Sequence, residues 1–366
     1  MAEQIRSPLW KIGWGFTAAC NMACPFCYSR TARTRDQEVP LSVAKRFIAQ
    51  NASEIASINY GTGESTLSPA WYELISFVRD EYPLLRQALT TNGTLSVGQN
   101  ATTRRAAWAN AIDEVDVSID FADPVRHNQM RGHPHAFEWA VRALELCAEE
   151  GIVSTIVFVG FAETLQVANL EQLTNLAAKY GAFLRLNILR PTSNVTMAPP
   201  TPLQVYAGLK WLLSSTRVVS LCDPLFGALF DPEYHQPETT GVTSLRILPD
   251  GSVTPSTYLI TEEWKGASIY NEDVRLSEIG QSPAFLRLQQ APVPAKCLGC
   301  EHVQVCRGGA VDRRVLHYQT LEERDPYCPY RGEGKFLNQV PIRYHEREET
   351  VPSVHDGYLP TLIFAP

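Results

Sequence analysis

The sequence has no apolar run approaching the roughly 18 residues that a membrane span requires. It has no surplus of positive charge: 32 Lys and Arg stand against 39 Asp and Glu, a formal net charge of −7. That balance argues against a generally basic nucleic-acid binder. The opening stretch, Met1-Ala-Glu-Gln-Ile-Arg-Ser-Pro8, lacks the charged and apolar regions of a secretory signal. No internal repeats or low-complexity tracts are visible. These absences predict a cytoplasmic protein with no membrane and no nucleic acid among its partners. Its 366 residues give room for about two domains. A chain of this size buries about three-quarters of its unfolded surface and needs no staples to fold. Its nine cysteines are then conspicuous, because structural disulfides are rare in a reducing compartment.

The cysteines fall into groups. Cys147 and Cys222 are isolated within apolar patterns and read as small buried hydrophobes. Cys20, Cys24 and Cys27 form C-x3-C-x2-C in Cys20-Asn-Met-Ala-Cys24-Pro-Phe-Cys27-Tyr28. Three thiolates on one loop hold three irons of a cubane cluster and leave the fourth iron open, whereas an electron-transfer cluster takes four cysteines. A zinc site would need a fourth ligand, and no His follows nearby. The spacing resembles the signature of the radical S-adenosylmethionine (radical SAM) superfamily, with Phe26 as the aromatic before the third cysteine. That resemblance implies a [4Fe-4S] cluster on Cys20, Cys24 and Cys27. It also implies S-adenosylmethionine chelating the open iron, and reductive cleavage to a 5′-deoxyadenosyl radical that abstracts a hydrogen atom from substrate. The cofactor supplies the difficult chemistry and the protein supplies orientation.

Strand and helix signals alternate through the body. Trp10–Thr17, Ile55–Tyr60, Arg86–Thr91, Glu114–Asp120, Ile152–Gly160 and Phe183–Leu189 read as strands. Trp71–Arg79, Ala136–Glu150 and Leu165–Tyr180 read as helices, the last two stopped by Gly151 and Gly181. This βα alternation predicts an α/β fold with a parallel sheet and ligands at the carboxyl ends of the strands. The resemblance sharpens it to a partial (β/α)6 TIM-like barrel over residues 1–195. A linker or helical bridge follows over 196–235, then a cluster-binding domain over 236–330 and a C-terminal extension over 331–366 expected to wrap the surface.

By the same resemblance, Phe26 and Tyr28 flank the cofactor. Gly61-Thr62-Gly63-Glu64 stands where the family has Gly-Gly-Glu to receive the methionine ammonium. Thr62 departs from that pattern, and an ordinary strand-to-helix turn is the plain alternative. Ser118 and Asp120 are expected near the ribose or carboxylate, Arg131 at the carboxylate, and Asn187 and Leu189 at ribose and adenine. Arg131 is equally readable as a surface-loop residue.

The second group is Cys297-x2-Cys300-x5-Cys306, then Cys328. Four thiolates make a closed site for zinc or a fully ligated iron–sulfur cluster, and spacing alone does not choose. The region resembles the SPASM extension of radical SAM maturases, which typically holds two auxiliary clusters. The framework Pro249-Asp-Gly251-Ser-Val-Thr-Pro255-Ser256 is kept, but Thr239 or Thr240, Ser256 and Ala310 replace cysteines of the inner cluster. The resemblance therefore implies one auxiliary [4Fe-4S] cluster on Cys297, Cys300, Cys306 and Cys328. Thr239, Thr240, Ser256 and Tyr258 are then expected to line an enlarged pocket.

SPASM-type relatives mostly modify ribosomally made peptides by crosslinking, epimerisation or tyramine excision, so a precursor peptide is the expected substrate. The short stretch before Trp10 leaves no room for a recognition domain, which implies a separate leader-binding protein or direct docking. Arg30, Arg33 and Arg35 either attract an acidic leader or form a solvated loop. Electrons would come from an external donor, flavodoxin or ferredoxin. A small-molecule enzyme acting on an aminocyclitol or nucleoside sugar is the alternative, and a zinc-stabilised interaction protein is the non-enzymatic one.

Overall fold

In the computed structural model, residues 9–29, 37–231, 233–236, 238–329, 340–346 and 351–366 are described. Strands β1 (Trp10–Trp14), β2 (Ile55–Tyr60), β3 (Arg86–Thr91), β4 (Glu114–Ser118), β5 (Val153–Gly160) and β6 (Phe183–Ile188) pair in parallel, each beside the next. The connecting helices are α1 (Leu41–Asn51), α2 (Pro69–Glu81), α3 (Arg105–Ala111), α4 (Pro124–Arg131), α5 (Ala136–Glu150) and α6 (Val167–Tyr180). A further helix, α7 (Pro202–Ser215), leads to β7 (Arg217–Cys222), and α8 (Pro224–Phe230) follows. Strands β8 (Ser244–Ile247), β9 (Ser252–Thr254), β10 (Ala267–Ser268) and β11 (Thr361–Ala365) complete the sheet. Its order is β10-β9-β8-β1-β2-β3-β4-β5-β6-β11-β7, with open ends, as a partial barrel requires.

The local chemistry of the termini explains the helix bounds. Ser68 caps α2 through the Trp71 amide at 3.3 Å, with Pro69 at the first helical position. Gly151 and Gly181 end α5 and α6 with φ of 68° and 62°, a left-handed conformation that costs glycine little. Aromatic pairs anchor α1 and α2 to the sheet: Trp14 meets Phe47 edge-on and Tyr60 meets Trp71 edge-on. All four are fully buried, and truncating one to alanine is worth about 3–5 kcal/mol.

Parallel strands buried on both faces usually read as continuous apolar runs, and these do not. Ile58, Leu89, Val115, Val117, Ile156, Leu184 and Leu186 belong to the apolar core. The alternating positions are polar: Asn59, Thr90, Asp116, Ser118, Thr155, Arg185 and Asn187. Thr90 bonds Asn59 at 3.2 Å and Asp116 at 3.4 Å, and Arg185 pairs with Asp116 at 2.6 Å, so these side chains share a lumen. Burial pushes the Asp116 carboxyl up, but Arg185 and His355 outweigh it and hold it below its usual range.

One expectation is corrected here. Residues 361–365 do not wrap the surface. Strand β11 is buried throughout and lies antiparallel between β6 and β7. Thr-Leu-Ile-Phe-Ala is apolar enough to be a central strand, and only long-range pairing assigns its place. No described helix is long and apolar enough to cross a membrane.

Candidate active site

The loops at the carboxyl ends of β1 to β6 converge on one open-mouthed cavity of about 970 Å³. Its lining includes Cys20, Cys24, Phe26, Cys27, Tyr28, Gly61, Thr62, Gly63, Ser118, Arg131, Asn187 and Leu189. All but two of the residues expected at the reactive cluster and its cofactor therefore meet at one place.

The cysteine loop is braced from three sides. The Ala23 amide donates to the Arg131 carbonyl at 2.9 Å, and the Glu64 amide to the Ala19 carbonyl at 2.7 Å. Asn92 donates to Asn21 Oδ1 at 2.9 Å and approaches Cys20 Sγ at 3.7 Å. Arg131 Nη1 lies 3.8 Å from Cys24 Sγ, and its guanidinium sits over the Phe26 ring at 5.2 Å. Ser29 Oγ is 3.2 Å from Cys27 Sγ. Three thiols rimming a roomy cavity, each beside a hydrogen-bonding side chain, suit a cluster whose sulfurs accept hydrogen bonds.

Two expected residues stand behind the wall. Glu64 is buried and points inward, accepting from Thr66 Oγ1 at 2.6 Å, Thr91 Oγ1 at 3.0 Å and the Asn92 amide at 2.8 Å. Burial pushes its carboxyl up against those bonds. It braces the turn after β2 to the turn after β3, which leaves the Gly61–Gly63 backbone facing the cavity. Asp120 is likewise fully buried and ion-paired with Arg131 at 2.7 Å. It also accepts from the Val159 amide at 3.1 Å, so it orients Arg131 and does not line the cavity. His127 Nδ1 accepts from the Asp120 amide at 3.2 Å, and burial holds its pKa well below the ordinary value. The ring is neutral there, with the remaining proton on Nε2.

Gly63 shows how tightly the turn is built. Its φ is +66°, and a Cβ there would lie 2.4 Å from the Ala19 carbonyl and 2.5 Å from the Thr17 carbonyl. Neither backbone atom has room to give. Gly63→Ala is expected to destabilise the fold by about 2–3 kcal/mol and to distort the cysteine loop. The check is urea unfolding together with the iron content after reconstitution, which falls in the variant.

The cavity also gathers residues that pattern reading did not select. Thr90, Thr91 and Asn92 come from the end of β3, and Arg185 and Arg190 from β6 and the loop after it. Asn92 opens an Asn-Gly pair, which signals a turn and says nothing of a cysteine contact. Tyr258 was expected and does line the cavity, packing edge-on to Tyr28 at 5.3 Å with Arg190 over its ring at 5.3 Å. Thr240 and Ser256 do not reach it. They are buried, Ser256 near Asp312 at 3.4 Å, and Glu238 accepts from the amides of Thr240 and Val311. Thr239, too, is absent from the lining. Arg30, Arg33 and Arg35 lie outside the described residues.

The second cysteine group converges as well. Cys297, Cys300, Cys306 and Cys328 line a separate cavity of about 360 Å³, walled by Leu225, Ala228, Leu229 and Val303. Among the described residues, no three His, Cys, Asp or Glu side chains gather closely enough to hold a single metal ion. Cys147 and Cys222 are buried elsewhere, and burial pushes both thiols up to about 12. Cys147 packs in the apolar core, as its isolation suggested, whereas Cys222 lies against the polar groups of Gln236 and Asp356.

Comparison with known proteins places this geometry. Residues 14–172 match the model of the Radical SAM superfamily. The mycofactocin maturase MftC of Mycobacterium tuberculosis is 27% identical over 328 residues, covering 86% of this chain and 81% of its own. An AdoMet-dependent heme synthase of Methanosarcina barkeri is 26% identical over 355 residues, covering 87% and 96%. Among solved structures, anSMEcpe with bound AdoMet and a Cp18Cys peptide shares the fold with a TM-score of 0.71 at 19% identity, covering 88% and 95%.

Proposed function

The chain is a radical SAM enzyme, its family domain spanning residues 14–172, and from that premise we propose that it modifies a ribosomally made precursor peptide. The observation that carries the cofactor assignment is the meeting of Cys20, Cys24 and Cys27 with the Gly61–Gly63 backbone, Ser118, Asn187 and Leu189 in one cavity. The cluster and S-adenosylmethionine, when bound, supply a carbon-centred radical able to take hydrogen from an unactivated carbon.

This chain's residues do the positioning. The three thiolates of the β1 loop hold the reactive cluster. The backbone of the turn beyond Gly61, whose own carbonyl already accepts from Arg246 and Tyr28, would receive the methionine ammonium, since Glu64 is committed elsewhere. Arg131, held by Asp120, offers its guanidinium to the methionine carboxylate. Ser118 and Asn187 meet the ribose, and Leu189 and Phe26 supply apolar walls. Arg185, Arg190 and Tyr258 form the part of the lining left for substrate.

Peptide as substrate class is supported by the kinship with a maturase over most of both chains. An external flavodoxin or ferredoxin would deliver the electron, and a separate leader-binding protein or direct docking would present the peptide. We place the reaction in the cytoplasm.

The four thiols that line the second cavity would hold one auxiliary [4Fe-4S] cluster, as the resemblance to the SPASM extension implies. The inner position reads as cluster-free. The Thr240 and Val311 amides both donate to Glu238, and Ser256 donates to Asp312, so these positions are engaged by protein groups. Anaerobic reconstitution with iron and sulfide is expected to give about eight irons per chain and visible iron–sulfur absorbance. About four or about twelve irons would overturn the two-cluster assignment. Reduction in the presence of S-adenosylmethionine should release 5′-deoxyadenosine. A mass change in a precursor peptide encoded beside the gene, and none in an iron porphyrin, supports the peptide reading; the opposite pattern overturns it.

A further inference from the structure

Ahead of β11, the C-terminal segment runs through the lower half of the barrel lumen. The amide and hydroxyl of Ser353 bond Glu114 at the start of β4, at 2.7 and 2.9 Å. Lys11, at the start of β1, donates to the Ser353 carbonyl at 3.1 Å and to the Asp356 carbonyl. Asp356 accepts from Ser220 on β7 at 2.8 Å. His355 Nε2 pairs with Asp116 on β4 at 3.0 Å, the carboxylate that holds Arg185. The segment therefore touches β1, β4 and β7 and fills the lumen beneath the cavity.

Its last aromatic reaches furthest toward the site. Tyr358 is 3% exposed and shares a hydrogen bond of 2.9 Å with Thr257 Oγ1. Its hydroxyl occupies the space beside Gly13, where any Cβ would overlap it, and Arg246 Nη1 enters the same space from β8. The Tyr358 hydroxyl and the Arg246 guanidinium therefore meet beside Gly13. Arg246 Nη2 in turn donates to the Gly61 carbonyl. Tyr28 donates to that same carbonyl at 3.2 Å and bonds Thr62 Oγ1 at 3.0 Å. Arg246 is 1% exposed; among the described residues it donates to this carbonyl and lies beside the Tyr358 phenol, with no carboxylate partner. A buried guanidinium so placed depends on each neutral partner it has, since leaving any of its donors unmet carries a full desolvation penalty.

We propose that Tyr358, at the end of this segment, is a positioning residue of the cofactor site. Tyr358, acting through Arg246, fixes the Gly61 carbonyl and with it the turn Gly61–Glu64. The polypeptide thus ties its last residues to the turn after its second strand, and glycine at position 13 is the opening that lets the tyrosine in. Tyr358 touches neither cofactor nor substrate in this role. The inference rests on the reading that this turn receives S-adenosylmethionine.

The test uses reconstituted full-length enzyme and equilibrium dialysis of S-adenosylmethionine. Tyr358→Phe keeps the ring and removes the hydroxyl that stands beside the guanidinium. It is expected to weaken binding about fivefold and to speed hydrogen exchange in the peptide spanning residues 60–65. Gly13→Ala, which evicts the tyrosine, should weaken binding more than Tyr358→Phe. Ser353→Ala loosens the same segment at its other end and should leave affinity unchanged. Unaltered affinity and exchange in Tyr358→Phe overturn the inference alone, as does an equal loss in Ser353→Ala. A wild-type enzyme that does not bind S-adenosylmethionine overturns the functional reading and the inference with it.

Discussion

Cys24→Ala is expected to abolish release of 5′-deoxyadenosine, a fall of at least about a thousandfold, consistent with loss of an essential cofactor group. Cys24 is the most enclosed of the three motif cysteines, 5% exposed, beside the Arg131 guanidinium that covers the Phe26 ring. Two remaining thiolates cannot retain a four-iron cluster with one open iron. The iron content should then drop by about half, from about eight to about four per chain, while the auxiliary cluster and its absorbance persist. The measurement is iron and sulfide analysis beside 5′-deoxyadenosine production under dithionite. Full iron content in the variant would show that Cys24 is not a ligand. Loss of all iron would show that the two cysteine groups do not form separate sites.

Arg313→Leu is expected to cost about 3–5 kcal/mol of stability and to deplete the auxiliary cluster. Arg313 lies in the helix Val311–Tyr318 and is 2% exposed. It grips Asp223 with both terminal nitrogens, one at 2.9 Å, and Asp325 through Nε at 2.7 Å. Those carboxylates are 1% and 0% exposed. Asp223 also caps α8 through the amides of Leu225 and Phe226, at 3.0 and 3.2 Å. Asp325 accepts from the Tyr327 amide, and its carbonyl accepts from the Cys328 amide, both at 3.0 Å. Leu225, Ala228 and Leu229 of α8 and Cys328 are walls of the four-cysteine cavity. Removing the guanidinium leaves two buried carboxylates facing each other and releases two walls of that cavity at once. Urea unfolding of the reconstituted enzyme gives the stability loss, and iron analysis gives the depletion. A variant as stable as wild type, with both clusters intact, would overturn the claim that this triad holds the cavity together.

Much of the site was legible in residue order because its chemistry is local. Cys20, Cys24 and Cys27 lie on one short loop, and the turn Gly61–Glu64 follows β2 directly, so spacing and strand ends suffice to nominate them. Glu64 shows the limit of such reading. A carboxylate beside a glycine turn suits an ammonium, yet three hydrogen-bond donors from Thr66, Thr91 and Asn92 surround it from the inner side. Two of those donors come from another strand end, and no pattern around position 64 announces them. Thr240 and Ser256 failed to reach the pocket for a related reason, since Glu238 and Asp312 engage the segments that carry them.

Sequence alone determined the elements whose signals are short-range: six strands alternating with amphipathic helices, glycine stops after α5 and α6, and two cysteine groups with two cysteines left over. Tertiary structure alone decided what depends on contacts across hundreds of residues. It placed Thr361–Ala365 between β6 and β7, which no periodicity could, because an apolar pentapeptide suits any buried strand. It set the polar alternation of the parallel strands into use as a lumen. It also brought Tyr358 within reach of Arg246 beside Gly13. The physical reason is the same throughout. Hydrogen-bond donors, caps and metal-ligand spacings act over a few residues, whereas satisfaction of a buried charge is settled by whichever distant group the closed fold delivers.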